Sequence, residues 1–379
     1  MSNFKVELLR LSDVEPHPGA DRLDLAIVGP KDTAYRCVVQ KDRFKSGELV
    51  AYIPEGSILP YDLIEQMGLS GALAGAQKNR VKAVKIRGIL SQGLVWKPEE
   101  GWDAWFERSA PLKLQTSLKR GVELPYEGAD IAEALGITKY APPIPVNMAG
   151  KMQGDAPAFA DHTDMENIKK YSELFKNGET VYVTEKIHGT QMSVIFDGET
   201  FKISSKGVLH KNRATLAEEA GNLYWQAFHN SGIERGIRAL FELLREKDGI
   251  LALQLVGEVY GKVQDLTYGM SQGHKFAAFD LRLCLSDNTP RYVDSADFFS
   301  MMSVAEIPVV PLLYVGPYSY EQVKHLTSGN TVAATVKQIR EGVVVKPARE
   351  RNDYQHGRVI LKSISEDYLI RKGNVTEME

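Results

Sequence analysis

Apolar positions come in short, closely spaced blocks over the first 125 residues: FKVELLRL, RLDLAIVG, YRCVVQ, ELVAYI, VKAVKI and GLVWKP, separated by Gly, Pro and Asp signals. Blocks of this length and spacing predict a small all-β barrel. From residue 166 onward, strand-like and helix-like blocks alternate. TVYVTEKI reads as a strand, and QMSVIFDGETFKISS carries Asp197-Gly198 between two alternating arms, which predicts a hairpin. Two helices are expected near 212–229 and 233–247, the second with Ile233, Ile237, Leu240 and Leu244 at helical spacing. ILALQLVGEVY, HKFAAFDLRLCL, IPVVPLLYV, GVVVKP and RVILKSI then read as strands. The expected fold class is α+β in three parts: a β-barrel over 1–125, an irregular linker over 126–165 centred on APPIPVNMAGKMQGDAPAF, and a domain of antiparallel sheets with flanking helices over 166–379.

Composition narrows the classes. The 379 residues are 43% hydrophobic and 25% charged with a formal net charge of -3, which suits a globular chain. No apolar run approaches the roughly 18 residues of a bilayer span, so no membrane association is expected. The start, MSNFKVELLRLSD, lacks a basic stretch followed by an apolar core, and the only cysteines, Cys37 and Cys284, lie far apart inside apolar runs. Both features lead to an expectation of a cytoplasmic protein with buried, reduced thiols. A four-cysteine zinc site is excluded. The near-neutral total hides one patch, because Lys78, Arg80, Lys82, Lys85, Arg87 and Lys97 occur with no acid among them. On a barrel strand they would form either a cationic face that follows phosphates or a lysine-guarded strand edge.

The candidate chemistry starts at Thr184-Glu185-Lys186-Ile187-His188-Gly189-Thr190, where a lysine sits as an apolar strand gives way to glycine. A neutral lysine amine attacks phosphorus or carbonyl carbon, but at neutral pH an ordinary lysine is neutral only about once in a thousand. A catalytic Lys186 therefore needs burial or cationic neighbours. Gly189 reads as leaving room for a close ligand, and Thr190 as offering a hydroxyl. Further on, Glu258 closes an apolar strand in GEVYG, Phe279 lies within FAAFDLR, Glu341 and Lys346 bracket EGVVVK, and Lys362 sits in RVILKS. Glycines beside charges at strand ends suit a phosphate and metal cleft.

In order, EKIHGT, GEVYG, FAAFDLR, EGVVVK and ILKS resemble nucleotidyltransferase motifs I, III, IIIa, IV and V of the covalent lysyl-AMP superfamily of nucleic-acid ligases and capping enzymes. SSKGVLH, with Lys206, is similar to motif Ia. HPGADRLDLAIVG, SGELVAYIPEGSILP and KAVKIRGILSQGLVW resemble the OB module ahead of the catalytic domain in the bacterial and protist nick-sealing RNA ligases. The resemblance implies an OB-like barrel followed by an ATP-grasp-like adenylyltransferase domain.

It further implies ATP as substrate, AMP carried covalently on Lys186, and Mg2+ or Mn2+ held by Glu341 and Glu258, directly or through water. Glu258 would contact the ribose and Phe279 would stack on adenine. Lys346 and Lys362 would neutralise the α-phosphate and depress the Lys186 pKa. Glu185, Ile187, Gly189, Thr190, Lys206 and Asn167 would complete the nucleotide pocket, Asn167 from the DMENIK stretch resembling a pocket-lining segment. RNA, or a nicked duplex containing RNA, would be the partner, held by Lys78, Arg80, Lys82, Lys85 and Arg87 with Trp96 beside them; no obligate protein partner is evident. Two departures stand out: His188 replaces the Asp often found two residues after the nucleophile, and Ile364 replaces a second motif V lysine. Only 17 residues follow Lys362, so the carboxy-terminal OB domain of DNA ligases and capping enzymes is not expected. A DNA-sealing enzyme and a catalytically inactive nucleic-acid-binding module are the alternatives.

Overall fold

Short alternating blocks make short strands. In a computed structural model, which describes residues 4–30, 32–109, 127–141, 150–162, 164–371 and 377–378, they are β1 (Glu7–Pro16), β2 (Leu23–Val28), β3 (Tyr35–Gln40), β4 (Leu49–Ile53), β5 (Ser57–Ile58), β6 (Val84–Ile86), β7 (Ile89–Ser91), β8 (Leu94–Trp96) and β9 (Thr138–Lys139). The end of the expected barrel (110–125) and the centre of the expected linker (142–149) lie outside the described residues. Five strands, in the order β3-β2-β1-β4-β8, curl into a nearly closed antiparallel barrel. Val6, Leu8, Ala51, Ile53 and Trp96 pack beneath the helix Trp102–Ser109, which adds Trp105 and Phe106.

This packing corrects two expectations. The basic stretch 78–97 is not one strand; it is divided among β6, β7 and β8, with a turn at Arg87-Gly88. Trp96 is buried, edge-on to Trp102 and Trp105 at 5.7 and 5.9 Å, so the core takes the ring expected beside the nucleic-acid-binding residues.

The strands continue as β10 (Met152–Asp155), β11 (Glu166–Asn167), β12 (Thr180–Lys186), β13 (Gly189–Phe196), β14 (Phe201–Ser205), β15 (Ala214–Leu216), β16 (Ala252–Gly261), β17 (His274–Cys284), β18 (Pro290–Tyr292), β19 (Leu312–Pro317), β20 (Gly342–Pro347), β21 (Asn352–Asp353), β22 (Gly357–Arg358) and β23 (Leu361–Ile364). They form a seven-stranded sheet, β10-β15-β14-β13-β16-β17-β18, and a five-stranded sheet, β11-β23-β20-β12-β19. The expected hairpin is present as β13 and β14, closed by the Asp197 carboxylate accepting from the Glu199 and Thr200 amides.

Helices Leu223–Ser231 and Ile233–Asp248 cover the larger sheet with Phe228, Ile237, Leu240, Phe241 and Leu244. The first was expected from 212. Instead a short helix, Lys206–Asn212, ends on Arg213 in the left-handed region, β15 follows, and Asn222 caps the next helix through the Tyr224 and Trp225 amides. Cap chemistry, rather than apolar spacing, sets these boundaries.

The last strand, β24 (Glu377–Met378), pairs in parallel with β6. Two compact units result, Met1–Pro142 with Leu369–Glu379, and Pro143–Tyr368. Among the described residues no helix is long and apolar enough to cross a membrane.

Candidate active site

Alternation along β12 decides which side chains face the site. Val181 and Val183 enter a core with Val343 and Val345, so Tyr182, Thr184 and Lys186 occupy the opposite face. Register extends that face: Lys346 lies opposite Tyr182, Val344 opposite Thr184, Gly342 opposite Lys186, Lys362 opposite Val344, and Asn167 opposite Lys362. Three lysines and an asparagine thus share one side of the five-stranded sheet. Only Ile187 and His188 separate Lys186 from β13, so the lysine stands where the chain crosses from one sheet to the other.

Glu341 precedes β20 and meets Lys186 directly, with Nζ to Oε1 at 2.5 Å. Its other oxygen, Oε2, is 3.5 Å from His188 Nδ1. Burial opposes the Lys186 ammonium, yet the charges of Glu341 and Glu258 outweigh it and hold the lysine above its usual pKa. The depression expected from Lys346 and Lys362 does not prevail in this nucleotide-free structure, because the two carboxylates outweigh it. Burial also opposes the Glu341 carboxylate, but Lys186 and His188 outweigh it and hold the acid below its usual range. Glu258 goes the other way, pushed up to about 8 chiefly by burial, with Lys186 pulling against Glu341. Burial, then Lys186 and Lys206, draw Lys362 down to about 8.

Lys346 does not reach this cluster. Four residues of β20, about 13 Å of strand, separate it from the partner of Lys186. Its ammonium bonds Asp280 Oδ1 at 2.9 Å and the Phe279 carbonyl at 2.8 Å. Arg358 grips the same Asp280, bonds Glu350 at 2.6 and 2.8 Å, and lies 3.5 Å over the Tyr292 ring. The lysine expected at the α-phosphate is instead part of a buried ion network beneath the neighbouring pocket. That pocket is a narrow one, lined by Gln191, Val256, Phe279, Asp280, Tyr292 and Ile360 among others. Phe279 sits at a bulge where β16 and β17 shift register, a device that re-aims a side chain.

The remaining expected residues divide. Lys206 opens the helix after β14 and bonds Asp164 at 2.5 Å. Thr190 shares a hydrogen bond with Tyr224 at 2.9 Å. Asn167 caps the helix Ile168–Tyr171 through the Lys169 amide. Ile187 is buried with Tyr260 and Tyr268. The Glu185 side chain is turned into the core, where it accepts from Thr331 and from the Val332 amide and faces Arg340, leaving only its backbone for a ligand.

Gly189 is a glycine for a different reason from the one expected: a Cβ there would strike the Val259 carbonyl of β16. At Gly342 the obstacle is the Ser363 carbonyl of β23. These glycines let strands close around Lys186; they do not clear room for a ligand.

Nothing in the local pattern points to the partners of His188. Its Nε2 meets Asp265 Oδ1 at 2.8 Å, its Nδ1 meets the Tyr368 hydroxyl at 2.8 Å, and its amide donates to Tyr268 at 2.6 Å. Among the described residues no three His, Cys, Asp or Glu side chains cluster as a metal cage. Glu341 and Glu258, flanking one amine, do fit the one-or-two-carboxylate habit of Mg2+, which keeps waters and takes phosphate oxygens as its other ligands. In the first unit, Lys78 and Arg87 are exposed at positive-φ positions, Arg80 and Lys82 are half-buried, and Lys85 lies on β6.

The RNA ligase family model matches residues 179–364, which span Lys186, Glu258, Glu341 and Lys362. Over residues 179–364 the chain belongs to the RNA ligase family. It is an enzyme of the nucleotidyltransferase type. An OB-fold domain matches residues 6–98, the barrel ahead of the ligase domain. Solved structures similar to the chain include variants of a Naegleria gruberi RNA ligase with ATP and Mn (TM-score 0.71) and with AMP and Mn (TM-score 0.70). Each is 24% identical and covers 97% of this chain and 98% of the other. At that identity the likeness establishes the fold. No curated protein matches the chain.

Proposed function

We propose that the chain is an ATP-dependent RNA ligase that seals a 3′-hydroxyl to a 5′-phosphate, acting on nicks in duplexes with RNA on the 3′-hydroxyl side. One observation carries the reading: Lys186 lies at the crossing of two sheets, half-buried, bonded to Glu341 and within the field of Glu258, with Lys362 on the same sheet face. Lys186 Nζ, once it has lost its proton, attacks the α-phosphorus of ATP. A P–N bond forms, the bond to pyrophosphate breaks, and pyrophosphate leaves. An oxygen of the 5′-phosphate then takes the AMP and returns Nζ to the lysine as a free amine. Finally the 3′-hydroxyl oxygen attacks the 5′-phosphorus, loses its proton and displaces AMP. Positioning and charge stabilisation dominate transfers of this kind.

In this scheme Lys362 offsets α-phosphate charge, Glu258 accepts from the ribose, and Phe279 with its pocket takes the adenine. Lys346 steadies the pocket floor through Asp280 and makes no phosphate contact. Glu341 and Glu258 would hold Mg2+ or Mn2+, which when bound neutralises phosphate charge and takes Glu341's charge away from the Lys186 ammonium. The barrel, with Lys78, Arg80, Lys82, Lys85 and Arg87, serves as the nucleic-acid-binding module. Cys37 and Cys284, both buried free thiols, suit a reducing cytoplasm.

The test is incubation with ATP labelled on the α-phosphate, followed by sealing of nicked duplexes that differ only in the sugar at the 3′-hydroxyl. The wild type should take up label, Lys186→Ala should not, and only the ribose nick should be sealed. An unlabelled wild type leaves a nucleic-acid-binding module, and equal sealing of all-deoxy nicks replaces RNA with DNA as substrate.

A further inference from the structure

Lys186 and Glu341 each have a chain neighbour of opposite charge, and the two neighbours meet on the other side of the sheet. Glu185 lies on the face of β12 that carries Val181 and Val183, away from Lys186, and Arg340 immediately precedes Glu341. Both are buried, at 1% and 7% exposure, and Arg340 Nε stands 3.6 Å from Glu185 Oε2. The loop 329–340 is closed on itself: the Thr331 amide donates to the Gln338 carbonyl at 2.8 Å and the Arg340 amide to the Gly329 carbonyl at 2.8 Å. The Arg340 guanidinium adds bonds to the carbonyls of Leu326 at 2.7 Å and Asn330 at 2.9 Å. Glu185 grips one arm of this loop, accepting from the Thr331 hydroxyl and from the Val332 amide at 2.8 Å. The other arm runs into Glu341, whose carbonyl accepts from the Ser365 amide at 2.9 Å.

We infer that Glu185 is a positioning residue: through Thr331, Val332 and Arg340 it fixes the loop 329–340, and with it the place of the Glu341 carboxylate against Lys186 Nζ. Both Glu185 oxygens are engaged, one by a hydroxyl and the other by an amide with a guanidinium beyond it, in a site shut off from water. A charged acceptor satisfied in this way holds its donors in one arrangement. Buried ion pairs contribute little net stability over apolar groups of the same volume, and selecting one arrangement against others is their best-attested use. The arrangement selected here keeps Glu341 in place by way of its own loop and not by way of Lys186. When the lysine carries AMP and lets go of Glu341, the carboxylate therefore stays beside the reacting atoms. The catalytic meaning of that position rests on the ligase reading above; the contacts that create it do not.

The experiment is a double-mutant cycle on the full-length protein without nucleotide, reading by peptide mass spectrometry how fast an amine-selective acylating reagent modifies Lys186, with exposed lysines as the internal reference. Glu185→Gln keeps the volume but turns an amide NH2 toward one of its former donors. It should let Glu341 drift from Lys186 and speed the reaction several-fold, a rise of about tenfold corresponding to one unit off the lysine pKa. In a Glu341→Gln background the same change should add nothing, because the carboxylate through which it acts is gone. If Glu185→Gln melts early, Thr331→Val, which deletes one hydroxyl of the grip, carries the same expectation. An unchanged rate overturns the inference. So does a rise of equal size in both backgrounds, which is what general loosening or the bare loss of the Glu185 charge would give. The rate is read without ATP, so a wild type that takes up no label from ATP counts against the ligase reading alone and leaves the hold of Glu185 on Glu341 standing.

Discussion

Lys186 Nζ lies 2.5 Å from Glu341 Oε1, so the amine expected to attack phosphorus rests as an ammonium paired with a carboxylate. This pairing keeps the lysine unreactive until the carboxylate is drawn elsewhere. In nucleotide-free protein, Lys186 should react with an amine-selective acylating reagent more slowly than exposed lysines do. Glu341→Gln should speed that reaction, since each unit taken off a lysine pKa raises the neutral fraction about tenfold. Peptide mass spectrometry of the acylated protein reads the difference, and an unchanged rate in Glu341→Gln would show that the pair does not restrain the amine. Lys186→Arg should take up no AMP at all.

Glu258 and Lys362 give the free protein an unusual pH dependence. Glu258 titrates near 8 when folded and near 4.5 when unfolded, so its contribution to stability is complete below 4.5 and is lost as pH rises through about 8. Lys362 has the opposite sign: its contribution is complete above 10.5 and is lost as pH falls through about 8. Glu258→Gln removes the first effect. Its melting temperature should therefore fall less than that of the wild type as pH rises between the two Glu258 values. Parallel melting curves for the two proteins across that range would place the titrating group elsewhere.

His188 is tied on both ring nitrogens and on its amide, and it also faces Glu341 Oε2 at 3.5 Å. It faces the Glu341 oxygen that Lys186 does not bond, so any effect on Lys186 passes through that carboxylate. His188→Ala should slow AMP transfer about 10- to 100-fold, the range seen when an orienting partner of a functional carboxylate or imidazole is lost. Asp265→Ala, which removes one tether of the ring at a half-exposed carboxylate, should cost less. Single-turnover labelling at saturating ATP separates this from weaker nucleotide binding, which would instead disappear as ATP is raised.

What could be read in the sequence was whatever is local. Apolar blocks marked the longer strands but not short ones such as β5, β9, β10, β11, β15, β18, β21 and β22, and Lys186, Glu258, Glu341 and Lys362 stand out because each sits at or in one of the marked strands. What could not be read depends on partners far away in the chain. Asp280, 66 positions from Lys346, diverts that lysine into an ion network, and Asp265, 77 positions from His188, makes a departure from the family pattern into a tethered ring. Trp96 misled because a three-residue strand carries too little alternation to tell a core face from a surface one. Gly189 misled because the atom that occupies the missing Cβ's place, the Val259 carbonyl, belongs to another strand.

The Asp280 network supplies the sharpest contrast between the likeness to motif IV and the observed geometry. If Lys346 met the α-phosphate, its removal would mainly slow chemistry and leave the fold intact. Paired as it is, with Asp280 held well below the ordinary carboxylate range by Arg358 and Lys346 against the effect of burial, the lysine belongs to the scaffold. Removing one member of a buried pair costs about 3 to 5 kcal/mol when the remaining charge is stranded. Lys346→Met leaves Asp280 still paired with Arg358, so it should lower the melting temperature modestly. Asp280→Asn strands Lys346 and leaves Arg358 paired with Glu350 alone, and should lower it more. The order of the two melting temperatures is the measurement: a Lys346→Met protein with wild-type stability and little AMP transfer would return this lysine to the phosphate.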